Sequence, residues 1–263
     1  MRNALSLEFR SLIFVNLAVA IVFGFLLSLF PTYTALYAPW VFGHPRSAIV
    51  IGVGYLSACV YYSLVLRTND WVQARNGTLN LVIFSLVLLA ATSTDLAAFR
   101  LYHPITLAWL FYYYANPLFV PMLSRLQDTE ANDDGAILSP LWRGWLIIRG
   151  ILYLAVALII FLFAPAVAAN WAWSSPFAVD LRVFTGFISV TGLSGIAALW
   201  GPNWNRLRLG LVFTGSLGIL NLIGLLLNGS DYNFSTSAGM WLPIMFAEWF
   251  LTPLVMYFVY RKK

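Results

Sequence analysis

The chain has 263 residues, of which 61% are hydrophobic and only 10% charged, with a mean hydropathy of +0.81 and a net charge of +5. A soluble domain carries charge on about a quarter of its residues, and a chain this poor in charge could not cover a water-facing surface. Water is therefore excluded as its main solvent, and so is nucleic acid as a partner, because the basic residues stand singly or in pairs at the ends of apolar runs rather than along one face. The single cysteine, Cys59, excludes an intrachain disulfide and a cysteine metal cluster.

A helix needs about 20 mainly apolar residues to cross the hydrocarbon core. In chain order, eight stretches qualify: approximately 11–31, 48–66, 78–95, 105–124, 145–165, 183–200, 208–227 and 238–259. They are too long and too continuously apolar for barrel strands, and lipid leaves an unpaired backbone no partner, so helix is the expected state. The fold class is an all-α transmembrane bundle of about eight helices. The first run follows Arg2 and Arg10 but exceeds a signal peptide's apolar region, so it reads as a retained span.

Loop charges orient the spans. Arg2, Arg10, Arg67, Arg75, Arg125, Arg143, Arg206, Arg208, Arg261, Lys262 and Lys263 fall on the N-terminal side, against Arg46, Arg100 and Arg182 opposite. Eleven against three places both termini in the cytoplasm and requires an even number of spans. Between Arg125 and Arg143 the chain turns polar, with Asp128, Glu130, Asp133 and Asp134 followed by Gly135. That segment reads as a linker, residues 126–142, between a first unit at 1–125 and a second at 143–263.

The two units match. Phe9–Asn16 lies over Trp142–Arg149, pairing Arg10 with Arg143 and Asn16 with Arg149. Asn69–Arg75 lies over Pro202–Arg208, pairing Trp71 with Trp204. Asn116–Arg125 lies over Thr252–Arg261, pairing Pro117 with Pro253. The offset drifts only from 133 to 136. Duplication of a four-helix unit follows, and four spans per unit make the repeats parallel about an axis near the membrane normal.

Glu248 is the most informative residue. A carboxylate near the middle of the last span costs several kcal/mol unless partnered, so it faces the protein interior as a proton carrier, a cation ligand or a structural hydrogen-bonding group. Its match in the first unit is Tyr112. Arg149 lies about one turn inside the fifth span, where it either snorkels to the headgroups or contacts an anion within the bundle. Its match, Asn16, makes that depth polar in both units. Glu248, Tyr112, Asn16 and Arg149 are thus the candidate ligand-binding residues. Pro117 after Asn116 and Pro253 after Thr252 mark expected kinks in spans four and eight.

At the outer ends, Arg46 starts span two and Asp95 ends span three, while Arg182 and Asp231 repeat this arrangement. Each charge opposes its own helix dipole, so an Arg46–Asp95 pair and an Arg182–Asp231 pair, one in each unit, are the expected relief. Trp40, Tyr37, Trp171, Trp173 and Tyr102 gather at the same ends as an aromatic belt, with Trp171, Trp173 and Trp40 in short interfacial segments. The only histidines, His44 and His103, fall in outer loops, which argues against haem or a di-iron centre. No span contains a lysine for a retinal Schiff base. No metal site and no particular cofactor is implied.

The tract from Trp171 through Arg208, with Trp173, Pro176, Arg182 and Trp204, resembles bacterial multi-pass membrane proteins, and implies an inner-membrane location without implying an activity. The expected function is to bind or pass a small or lipid-like molecule between the two units, with membrane lipids as partners. The alternatives are a non-catalytic subunit or anchor held by other membrane subunits and, more weakly, a lipid-modifying enzyme using Glu248 or the acidic linker.

Overall fold

The computed structural model describes residues 4–127, 135–174 and 176–261. Ten α-helices follow in order: α1 (Leu7–Leu29), α2 (Thr34–Tyr37), α3 (Pro45–Thr68), α4 (Trp71–Thr94), α5 (Pro104–Ser124), α6 (Pro140–Leu162), α7 (Ala164–Ala168), α8 (Ala178–Ile196), α9 (Trp204–Leu227) and α10 (Ser237–Tyr260). No strand forms among the described residues. Eight of the ten are long. Seven of these are long and apolar enough to cross a membrane. The eighth, α5, has 21 residues, about 32 Å at 1.5 Å per residue, but its tyrosines, Asn116 and two prolines lower its hydropathy. The acidic stretch expected at Asp128–Asp134 lies outside the described residues.

Local chemistry sets the helix starts. Ser6, His44, Asp70, His103, Ser139, Asn203 and Thr236 each accept a backbone N–H from the first turn of the helix they precede, and proline opens α3, α5 and α6 without losing a hydrogen bond. Caps and polar first turns carry no hydropathy signal. For this reason α4 begins at Trp71 and α6 at Pro140, ahead of the apolar runs at 78 and 145 and inside the linker expected to end at 142. Asn69, the one non-glycine residue with positive φ (48°) among those described, closes α3 and lets the chain turn directly into α4. Both α5 and α10 continue as helix through Pro117 and Pro253.

The ends of the described chain meet on one face of the bundle. Ser6 N–H donates to Gln127 at 3.0 Å, joining the start of α1 to the end of α5, and Ser139 N–H donates to the Tyr260 hydroxyl at 2.8 Å, joining the start of α6 to the end of α10. Phe9 packs edge-on against Trp71 at 5.3 Å, and Asn76 at the start of α4 bonds Arg206 O at 3.0 Å at the start of α9. Leu138 N–H to Pro202 O (2.8 Å) and Trp204 N–H to Ala136 O (2.9 Å) tie the chain before α6 to the same layer.

Packing follows one scheme on both sides. α1 lies on α3 and α6 on α8; α4 lies on α5 and α9 on α10; across the middle, α3 packs on α9, α4 on α8 and α4 on α9. α8 is the most enclosed, buried without a break from Val179 to Gly192. It comes close to α6 through glycine: a Cβ on Gly150 would stand 2.6 Å from Gly192 O, the small-residue contact that lets membrane helices touch backbone to backbone. Hydrogen bonds recur too. Trp40 Nε1 donates to Asp180 at 2.9 Å and Trp173 Nε1 donates to Ser47 at 3.0 Å; Trp173 stands 133 positions after Trp40, and Asp180 133 after Ser47. Arg100 N–H to Pro39 O (3.1 Å) is matched in the same way by Asn233 N–H to Ala172 O (2.6 Å).

These contacts correct one expectation. Trp40, Trp171 and Trp173 are buried, not interfacial, while Tyr102 is 99% exposed. The indoles of Trp40 and Trp173 each reach across to the opposite set of four helices, so they plug the end of the bundle instead of lying on it.

Candidate functional site

Polar side chains inside the spans collect in two places. The first is charged. Arg149 on α6 is buried, and its Nε donates to Glu248 Oε1 on α10 at 2.6 Å. Tyr153, one turn along α6, donates its hydroxyl to Glu248 Oε2 at 2.6 Å. Thr252, one turn along α10, donates to Oε1 at 2.7 Å, and Trp145 Nε1 reaches the Thr252 hydroxyl at 3.4 Å. The i, i+4 spacing of Arg149 with Tyr153 and of Glu248 with Thr252 puts each pair on one helix face. Glu248 is thereby a carboxylate with three donors. The Arg149 guanidinium lies 5.2 Å over the Tyr153 ring, and its Nη1 and Nη2 are buried with no hydrogen-bond partner among the described residues. The Glu248 side chain is 22% exposed, beside an open recess between α6 and α10 walled by Trp145, Leu251 and Thr252.

The second place is neutral. Asn16 on α1 accepts a short hydrogen bond from the Tyr112 hydroxyl on α5 and exchanges amide contacts of 3.4 Å with Asn116. Asn16 and Asn116 are fully enclosed. The partners correspond to those of the charged cluster, Asn16 standing for Arg149 and Tyr112 for Glu248.

A cleft opens between the two sets of helices. Its walls are Tyr55, Tyr61, Tyr62 and Phe84 of α3 and α4, Tyr112 of α5, and Phe187 and Phe213 of α8 and α9, with a cavity volume of about 50 Å³. Small residues make the room: Ala20 on α1 and Gly210 on α9 line it. Its polar points are few. Tyr112 is already bonded to Asn16, and Asn80 Nδ2 donates to Ser194 at 3.0 Å. An apolar, aromatic enclosure with a few fixed polar groups is the usual form of a small-molecule site. At the position of Ala20 in the second half, 133 residues on, stands Tyr153, whose hydroxyl binds Glu248.

The ion pairs on the face opposite the chain ends are crossed relative to expectation. Arg182 bonds Asp95, with Nη1 2.6 Å from Oδ2, and its Nε donates to Phe161 O at 3.2 Å. Arg46 lies 3.7 Å from Asp231 and donates to the carbonyls of Gly224 and Asn228 at the end of α9. The pairs Arg46–Asp95 and Arg182–Asp231 do not form. The reason is packing: α3 faces α9 and α4 faces α8, so each arginine meets the acid of the other set.

Of the four expected ligand residues, the structure brings together Asn16 with Tyr112 and Arg149 with Glu248, and no hydrogen bond joins one pair to the other. Only Tyr112 lines the cleft. Sequence reasoning overlooked Tyr153, signalled by its place one turn beyond Arg149, and the tyrosines of α3, which carry no motif. It also overlooked Asp180, a buried acid accepting from Trp40, Gly43 N and Phe177 N. No group of three or more His, Cys, Asp or Glu among the described residues could hold a metal ion. No protein-family model, curated protein or solved structure matches the chain.

Proposed function

We propose that the chain is a multi-pass protein of the bacterial inner membrane, with both ends in the cytoplasm, that binds or passes a small or lipid-like molecule between two copies of a four-helix unit. Three features support the duplication: helix starts recur 133 residues apart, as at Leu7 and Pro140 or Trp71 and Trp204; the tryptophan bonds are exchanged; and the packing scheme is the same on both sides. Excess arginine on the face carrying the chain ends supports the cytoplasmic assignment.

The observation that carries the ligand reading is the aromatic cleft, which takes its walls from both units. Tyr112, fixed by Asn16, supplies its directional polar contact, and the tyrosine and phenylalanine rings supply apolar area. Arg149 and Glu248 tie α6 to α10. Glu248 neutralises Arg149 while Tyr153 and Thr252 satisfy the carboxylate.

The test is native mass spectrometry of protein extracted from membranes. Wild type should retain a non-protein species that Ala20→Phe, which fills the cleft, releases. Overpacking costs roughly 1–3 kcal/mol, so Ala58→Leu, a smaller intrusion into the same wall, serves as the second variant, with thermal melting to establish that each is folded. Retention unchanged in both folded variants, or a wild-type protein that retains nothing, would remove the cleft as the site.

A further inference from the structure

On the face carrying the chain ends, a second recess opens between the end of α3, the start of α9 and the end of α10, with about 1410 Å³ of atom-free space counted to its mouth. Three helices each bring one arginine to it: Arg67, Arg208 and Arg261. No acidic residue lines it among the described residues. The side chains of Arg67 and Arg261 form no ion pair or hydrogen bond among the described residues, that of Arg261 only stacking on Phe258 at 4.9 Å. Arg208 is held by a neutral group, its Nε donating to Gln73 Oε1 at 3.1 Å. Three positive charges therefore line one recess without a counter-charge among the described residues. Topology alone would scatter such arginines over the whole face rather than gather them from three helices into one recess. The repeat accounts for two of the three, Arg208 matching Arg75 and Arg261 matching Arg125, but not for Arg67, since the residue 133 positions after it is Trp200.

The recess is graded along its depth. From Arg261 to Pro253, α10 descends about 12 Å at 1.5 Å per residue, and the lining passes from arginine at the mouth to Leu64, Val212 and Pro253 below. A free phosphate would need the upper part alone. The apolar lower part matches an acyl chain, and basic recesses between membrane helices at the headgroup level recruit anionic lipids. We propose that this recess is a binding site for one anionic phospholipid, its phosphate at Arg67, Arg208 and Arg261 and its chain descending between α3, α9 and α10. The site is separate from the aromatic cleft and stands whether or not the cleft binds a ligand.

The experiment uses the full chain in lipid nanodiscs containing phosphatidylglycerol or phosphatidylcholine, read by native mass spectrometry of retained lipid. The probe variant is Arg67→Gln with Arg261→Gln, both exposed positions. The control is Arg10→Gln with Arg125→Gln, which removes the same charge from the same face outside the recess. Each arginine near an anionic headgroup supplies roughly fivefold in affinity, so the probe variant should lose phosphatidylglycerol by about twenty- to thirtyfold while wild type and control keep it. Equal losses in probe and control, or equal retention of phosphatidylcholine by wild type, would overturn the proposal. So would displacement of the lipid by inorganic phosphate at matched ionic strength, which would assign the arginines to a free anion.

Discussion

The α1–α5 pair and the α6–α10 pair occupy corresponding places in the two halves, yet they handle polarity within the spans differently. Asn16, Tyr112 and Asn116 are neutral and satisfy one another. Arg149 and Glu248 are charged and draw in Tyr153 and Thr252. Next to the neutral set stands Ala20 and a cleft; within the charged set Tyr153 stands at the matching position, and a recess opens between α6 and α10 beside it. A change of small for large at matching positions thus goes with a change from amide to ion pair.

The largest effect should come from breaking the charged set. Arg149→Leu leaves the partly buried Glu248 without its cation, and removal of one partner of a buried pair costs up to about 3–5 kcal/mol. Asn16→Leu removes only neutral hydrogen bonds, worth roughly 0.6–2 kcal/mol between membrane helices. Thermal melting in detergent should therefore rank Arg149→Leu well below Asn16→Leu, and the double variant Arg149→Leu with Glu248→Leu should recover part of the loss. Equal costs for the two single variants would erase the distinction between the halves.

Intermediate effects should come from the crossed ion pairs. Asp95 is 19% exposed and its arginine 9%, whereas Asp231 is 52% exposed and lies farther from its partner. Asp95→Asn should cost about 1–3 kcal/mol, as expected for a hydrogen bond to a charged group, and Asp231→Asn under about 1 kcal/mol. Pairing is checked by charge exchange: Arg182→Asp with Asp95→Arg should melt higher than either single variant, and Arg182→Asp with Asp231→Arg should not.

The smallest effect belongs to His44, outside the spans. Burial lowers its pKa, Arg46 lowers it further and Asp231 opposes both, while Nδ1 caps α3 by accepting Arg46 N–H at 3.1 Å. The lowered folded pKa means that the unfolded chain takes up the proton first. Stability is complete above about pH 6.5, the unfolded value, and falls as pH drops from there toward the lowered folded value. His44→Asn, which keeps a capping acceptor without a proton to gain, should remove this dependence. Melting curves from pH 7.5 to 5 that coincide for the two proteins would contradict it.

The eight long helices were legible because apolar length is a property of each segment alone. Their starts were less so: the first turns of α4 and α6 are built from Trp71, Gln73 and Arg75 or Trp142 and Arg143, which hydropathy does not mark and only a cap reveals. The polarity of Asn16, Tyr112, Arg149 and Glu248 was legible too, since each is costly in a span. Their sorting into two sets was not, because composition does not state which helices touch. The same gap misassigned Arg46 and Arg182, whose partners depend on α3 facing α9 and α4 facing α8. The cleft was hidden for a different reason: Ala20 and Gly210 act through the volume they leave, and volume belongs to no single residue.

The most direct measurement is an experimental density map of the full chain in nanodiscs at side-chain resolution. The account predicts non-protein density between Tyr55, Tyr112 and Phe187, with the Arg149–Glu248 bond intact on the far side. Density lodged instead between Arg149 and Glu248, with the tyrosines collapsed onto Ala20, would contradict it.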